Sequence, residues 1–156
     1  MLTYDIPGAG RLAFGHLVLD FNGTIASDGV LISGVSERLE TLSEKLRIHV
    51  ITADTNGSVH RECEHLPLQV QVIGNMDQAG EKARFIRGLG EDGIVAIGNG
   101  VNDRLMFETA DLAIAVLGRE GCSSEALMHG DIVVRDILDG LDLLLHPNRL
   151  IATLRR

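Results

Sequence analysis

Aromatic residues are scarce. The chain has Tyr4, Phe14, Phe21, Phe85 and Phe107, and no tryptophan. A stacking platform for nucleic-acid bases is therefore excluded. Basic residues are outnumbered as well: 22 Asp and Glu against 14 Lys and Arg leave a net charge of -8. Nonspecific binding to nucleic acid or an anionic membrane needs clustered cations, so neither partner is expected. No apolar run approaches the roughly 18 residues of a membrane-spanning helix. The start, MLTYDIPGAGR, lacks the basic and apolar stretches of a secretory signal. The two cysteines, Cys63 and Cys122, make no disulfide framework and suit a reducing cytoplasm as buried or half-buried thiols. The histidines show no zinc spacing. His60 and His65, with Cys63 between them, read as a surface helix.

What is present is enough for a core. The 156 residues are 45% hydrophobic and 23% charged, which predicts one globular domain over 1–156. Residues 2–5 and 11–14 flank the turn-rich PGAG and read as a hairpin. HLVLDF (16–21), RIHVITA (47–53), LQVQVI (68–73), GIVAIG (93–98) and DLAIAV (111–116) read as strands. DIVV (131–134) is an extra one. Between them lie helical patterns at 35–46, 57–65, 80–89, 101–109 and 123–129. Ser33 or Ser36 is expected to cap the first of these. The remainder is helical, with 146–156 as a C-terminal helix. Asp136, Asp139 and Asp142 read as a solvated helix face, and Leu150, Ile151 and Leu154 as packing on the sheet or on a partner subunit. Alternation of strand and helix predicts an α/β, Rossmann-like, doubly wound parallel sheet. In such sheets ligands bind beyond the carboxyl ends of the strands, where the strand order reverses.

Those ends carry the chemistry. The first strand ends in Asp20-Phe21-Asn22-Gly23-Thr24, and the second in Thr52-Ala53-Asp54-Thr55-Asn56. The fourth ends in Gly98-Asn99-Gly100-Val101-Asn102-Asp103, and Lys82 opens the helix before it. Two carboxylates, hydroxyls and an ammonium on one rim suit phosphoryl transfer with Mg²⁺, which prefers few, hard oxygen donors. Two other readings of these segments fail. DFNGT is no EF-hand loop, because its glycine comes too early and Leu31 stands where the bidentate acid belongs. GNGVND is no dinucleotide loop, because Asp103 replaces the last glycine.

DFNGT, ITADTN, GEKARFIRGL and VAIGNGVNDRLMFETADLAIAV, in this order, resemble the four motifs of the haloacid dehalogenase-like (HAD) superfamily. The resemblance covers roughly 16–145 and is closest to the phosphorylation domain of P-type ATPases. It implies strand order 3-2-1-4-5, the extra strand following, and no cap domain, because residues 25–51, 27 in all, separate Thr24 from Thr52. It also implies roles. Asp20 would be the nucleophile that forms an aspartyl-phosphate and, with the Asn22 carbonyl, Asn99 and Asp103, a Mg²⁺ ligand. Lys82 would offset charge. Gly23, Thr24, Thr52, Ala53, Lys82 and Asn102 would surround the phosphoryl group of a small phosphorylated substrate.

Two positions depart from the family. Asn22 stands where its phosphatases carry an Asp that works as general acid and base, and Asn99 where they carry a metal-binding acid. The expectation is a weak, Mg²⁺-dependent phosphatase. The alternative is a non-catalytic phosphate- or partner-binding module. An open, capless cleft gains shielding from a neighbouring subunit, so a homo-oligomer is expected. Asn22-Gly23 and Asn99-Gly100 are also deamidation-prone pairs, and conversion would restore both acids.

Overall fold

The computed structural model describes all residues, 1–156. Strands β1 (Leu2–Ile6) and β2 (Gly10–Phe14) form the N-terminal antiparallel hairpin, and β3 (His16–Leu19) enters the main sheet. A second hairpin follows, β4 (Ala26–Ser27) and β5 (Val30–Leu31), then α1 (Val35–Ser43), β6 (Arg47–Thr52), α2 (Val59–Cys63) and β7 (Gln69–Val72). Next come α3 (Gln78–Arg87), β8 (Ile94–Gly98), a 3₁₀ turn (Val101–Asp103) and α4 (Arg104–Thr109). The chain ends with β9 (Leu112–Val116), α5 (Ser124–His129), β10 (Ile132–Val134), α6 (Ile137–Leu145) and α7 (Pro147–Leu154).

The main sheet has six parallel strands in the order β10-β9-β8-β3-β6-β7. This is the expected order, with β10 as the extra edge strand. The central strands are wholly buried runs, as two-sided coverage requires: HLVL in β3, IVAIG in β8 and LAIAV in β9. On one face α1, α6, α7 and the first hairpin close a cluster of 28 buried apolar residues. The other face holds a cluster of 11, and Ala96, Ala113, Ala115 and Ala126 leave room there for the helices to sit close. β3 lies between β6, which follows it, and β8, which comes after a return crossover. That reversal opens a crevice directly above the end of β3.

Helix boundaries differ from the periodicity by a few residues, for local reasons. Asp77 accepts the Gly80 N–H at 3.1 Å and starts α3 at Gln78, two residues before the pattern. No serine caps α1; its cap is Gly34 at φ 91°, with no side-chain bond. The acidic face of α6 is not simply solvated. Asp136 caps the helix through the Asp139 N–H (3.0 Å), and Asp142 takes a bidentate pair from Arg38 of α1 at 2.7 and 3.1 Å. Leu150 is fully buried, and Ile151 and Leu154 pack against the same core. The N-terminal hairpin holds that end: Tyr4 Oη donates to the Leu144 carbonyl at 2.8 Å, and the Arg156 N–H to the Pro7 carbonyl at 3.0 Å.

At the opposite end of the strands from the crevice, His16 of β3 and His49 of β6 share one sheet face. His16 Nδ1 and His49 Nε2 are 3.0 Å apart, whereas His16 Nε2 and His49 Nδ1 have no partner. Phe85 packs edge-on against His49 at 5.5 Å. Burial, then His16 and Arg47, bring His49 down to about 4. Burial, then Arg47, lower His16, with Asp92 opposing. A histidine depressed on folding contributes stability that is present above its unfolded pKa and lost as the pH falls toward the folded one. The free energy of unfolding should therefore drop between about pH 6.5 and 4, by on the order of 2 kcal/mol from this pair. Urea denaturation of the parent chain and of His49→Leu across that range checks it: the parent should lose stability relative to the variant as the pH falls. A constant difference would refute it.

Candidate active site

The site begins where β3 ends. The Asp20 N–H still pairs with the Ile97 carbonyl of β8 at 3.0 Å, and the chain then winds on itself. The N–H groups of Thr24, Ile25 and Ala26 all point to the Phe21 carbonyl at 3.0–3.2 Å, and the Gly23 N–H donates to Ala26 at 2.9 Å. These bonds leave the Asn22 carbonyl without a donor. Gly23 has φ 77°, and a side chain there would overlap the Asn99 amide, so only glycine fits.

Lys82, on the inward face of α3 with Ala83 and Ile86, reaches the same point with no exposed surface. Its Nζ donates to Asp20 Oδ1 and to Asp103 Oδ1, each at 2.7 Å. Asp103, also fully buried, uses Oδ2 to accept the Asn99 and Gly100 N–H groups at 2.9 Å each. Its carboxylate lies so close to Gly98 that a side chain at that position would overlap it. Burial opposes the charge on Lys82, but Asp103 and Asp20 together outweigh it and hold the ammonium protonated. Burial first, then the Asp103 charge, push Asp20 up to about 6 against the pull of Lys82. The Lys82 ammonium at 2.7 Å favours the ionised carboxylate, the form a nucleophile requires.

Asp20, Thr24, Lys82, Asn99 and Asp103 thus form one connected set. The Thr24 hydroxyl lies 3.2 Å from Asn99 Oδ1 and 3.5 Å from Asp20 Oδ2. The Asn99 amide is oriented by its bond to the Gly121 carbonyl at 3.1 Å. The other expected residues stand on the same rim with different partners. The Asn22 side chain accepts from Asn56 Nδ2 at 2.8 Å, and Asn102 donates to Gln78 Oε1 at 2.6 Å, which ties the 3₁₀ turn to α3. Thr52 is buried at the end of β6, and its hydroxyl accepts the Asp54 N–H at 3.0 Å; Ala53, half-buried, follows. Asp54, at φ 52°, orders its loop by accepting the Ser58 and Val59 N–H groups at 2.9 and 3.1 Å.

Gln78 and the β4–β5 hairpin are absent from the sequence reading, which names Asn56 at a strand end but gives it no role. The hairpin had a signal, an Asp28-Gly29 pair between short apolar stretches. Their φ values of 51° and 77° are those of a type I′ turn. The two Asn-Gly pairs are poorly placed for deamidation. Both glycine N–H groups, the attacking nitrogens, are already bonded, to the Ala26 carbonyl and to Asp103 Oδ2.

Three hard oxygens suit a Mg²⁺ ion: Asp20 Oδ2, the free Asn22 carbonyl and Asn99 Oδ1. Only one of them carries charge, and no three His, Cys, Asp or Glu side chains are grouped to hold a metal. Mg²⁺ is commonly held by one or two carboxylates, water and substrate phosphate, so the donor set fits a weak site.

No family model matches the chain. An uncharacterised protein of Methanocaldococcus jannaschii is 58% identical over 62 residues, 40% of this chain and 67% of that protein. A phosphoserine phosphatase of Archaeoglobus fulgidus is 34% identical over 85 residues, 51% of this chain but 21% of the phosphatase. Among solved structures, 3-deoxy-D-manno-octulosonate 8-phosphate phosphatase from Moraxella catarrhalis, bound to magnesium and phosphate, superposes with TM-score 0.70 at 18% identity, over 91% and 94% of the two chains. A zinc-transporting PIB-type ATPase gives 0.63 at 19% identity, over 79% of this chain and 20% of the pump.

Removing Lys82 strands two buried carboxylates. Lys82→Met should cost about 3–5 kcal/mol of stability, and adding Asp103→Asn should restore part of it. Chemical denaturation of the single and double variants checks this; a single variant as stable as the parent would contradict it.

Proposed function

We propose that this chain, which belongs to one family with the Methanocaldococcus protein and has the haloacid dehalogenase-like fold, hydrolyses small phosphate esters through an aspartyl-phosphate on Asp20. The observation that carries the reading is one carboxylate at the reversal of strand order, held through Oδ1 by a buried lysine while Oδ2 makes only the long Thr24 contact. An Asp20 oxygen attacks phosphorus, the bond from phosphorus to the leaving oxygen breaks, and that oxygen departs with the electron pair. Water then attacks the acyl phosphate, which releases inorganic phosphate and regenerates the carboxylate. Lys82 holds Asp20 oriented and offsets negative charge as the phosphoryl group arrives. Thr24, Thr52 and the backbone at Gly23 and Ala53 surround its oxygens, and Asn102 borders them. Asp103 acts from behind, positioning Lys82 and the 99–103 turn; its oxygens are already engaged. Asp20, the Asn22 carbonyl and Asn99 would hold Mg²⁺, which when bound neutralises charge on the phosphoryl oxygens.

Asn22 cannot protonate the leaving group, and a missing general acid costs about 10²–10⁴-fold in rate. The loss is smallest for leaving groups that depart without a proton, such as aryl or acyl phosphates. The bond that holds Asn22 to Asn56 and the uncharged Asn99 favour one second reading, a phosphate-binding module without turnover.

Hydrolysis of p-nitrophenyl phosphate with Mg²⁺ should be detectable and should vanish in Asp20→Asn; equal rates would remove the catalytic claim. Beryllium fluoride with Mg²⁺ should raise the melting temperature of the parent chain and not of that variant. If neither chain responds, the module reading gains. Asn22→Asp should speed hydrolysis of alkyl phosphates by at least tenfold. No gain would place the defect elsewhere.

A further inference from the structure

Beside Asp20 a cleft of about 790 Å³ runs between the β4–β5 hairpin and the loops that follow β9 and β10. Thr24 belongs to both places: it lines the cleft, and its hydroxyl is 3.5 Å from Asp20 Oδ2. A phosphoryl group on Asp20 therefore has this space next to it for the rest of its substrate. One part of the wall is apolar and open to solvent, with Val30 57% and Leu117 45% exposed.

The other notable lining residues are two cations. Arg119 and Arg135 follow adjacent parallel strands, which the bond from the Leu117 N–H to the Val134 carbonyl (2.9 Å) keeps in register beyond their ends. Arg38, Arg47, Arg61, Arg84, Arg104 and Arg149 all have acid partners. Six arginines have none, and of these Arg119 and Arg135 line the cleft, whereas Arg11, Arg87, Arg155 and Arg156 do not; Asp28 and Asp136 line it too. Asp136 is occupied with its helix cap, accepting the Asp139 N–H at 3.0 Å. In a chain of net charge -8, two guanidinium groups without acids sit next to the one place where an anion is expected. The planar fork of each matches a carboxylate or a phosphate.

We infer that the cleft takes the leaving group of a phosphate ester bearing a second anionic group, which Arg119 and Arg135 hold while its carbon skeleton lies on Val30 and Leu117. The inference rests on the phosphohydrolase reading and names its substrate class. The second anion has two sources, a carboxylate or another phosphate, and matched probes separate them.

The probes are glycerol 3-phosphate, 3-phosphoglycerate and propane-1,3-diyl bisphosphate. Each is measured as kcat/KM with Mg²⁺ and, without need of turnover, as binding by calorimetry. At least one of the two probes with a second anionic group should exceed glycerol 3-phosphate by about tenfold or more, and which one does identifies the second anion. In R119Q/R135Q the ratio should fall toward one, and R119K/R135K should keep part of it. A ratio of one in the parent chain, or a ratio unchanged in R119Q/R135Q, overturns the inference. Circular dichroism of the variants separates misfolding from lost recognition. Turnover of p-nitrophenyl phosphate without a second-anion preference would refute the arginine site alone. Preferential binding without any turnover would support the arginine site and refute the hydrolase.

Discussion

One buried ammonium fixes the geometry of the whole rim. Lys82 has no exposed surface and makes two contacts of 2.7 Å, to carboxylates on two other segments. The end of β3, helix α3 and the 99–103 turn wind independently, and this cation is where they meet. A buried charge survives only if partners replace its water, and two carboxylates do so for the lysine. Asp103 extends the link, because its second oxygen holds the N–H groups of Asn99 and Gly100. The position of the Asn99 amide therefore depends on the same carboxylate that holds the lysine.

The amide residues at 22 and 99 follow a charge logic. Asp20, Asp103 and Lys82, two carboxylates and one ammonium, meet in a buried spot. Acids at both amide positions would add two carboxylates, a load that needs a bound cation to be tolerable. With amides, the loops close on neutral partners instead: Asn22 on Asn56 at 2.8 Å and Asn99 on the Gly121 carbonyl at 3.1 Å. An amide at either position adds no charge to the rim, so it repels the Asp20 carboxylate less than an acid there would.

Much of this was legible in the sequence because continuous apolar runs mark strands buried on both faces and the 3.6-residue pattern marks the helices that cover them. HLVL and LAIAV could be little else than central parallel strands, and the order of the sheet followed from the motif order. Asp20, Lys82 and Asp103 were legible through the resemblance of the ordered motifs; a lysine on a helix is by itself most often solvated. What could not be read were the partners of neutral polar side chains. Nothing in the residue types says that Asn22 turns to Asn56, or Asn102 to Gln78; those bonds depend on loop paths that burial does not dictate. Asp142 misled for a related reason, since its partner Arg38 lies on a different helix, 104 positions away. The Asp28-Gly29 turn is different: the signal was present, but its flanking strands are two residues each, too short for alternation to show.

That small hairpin bears on specificity, because it forms one wall beside Asp20. Two-residue strands would drift if held only by their own turn. Here neighbours fix them on both sides. From α2 and its cap, Ser58 Oγ donates to the Gly29 carbonyl at 2.6 Å, and Glu62 accepts the Leu31 N–H at 3.1 Å. From the loop after β9, Glu120 accepts the Asp28 N–H at 3.2 Å. The hairpin is thus a braced wall joined to the loop that carries Arg119. The border is only a few residues long, and these bonds hold it from two sides. What this border presents to the cleft is apolar surface at Val30 on the hairpin and, from the loop joined to it, Leu117 and Arg119.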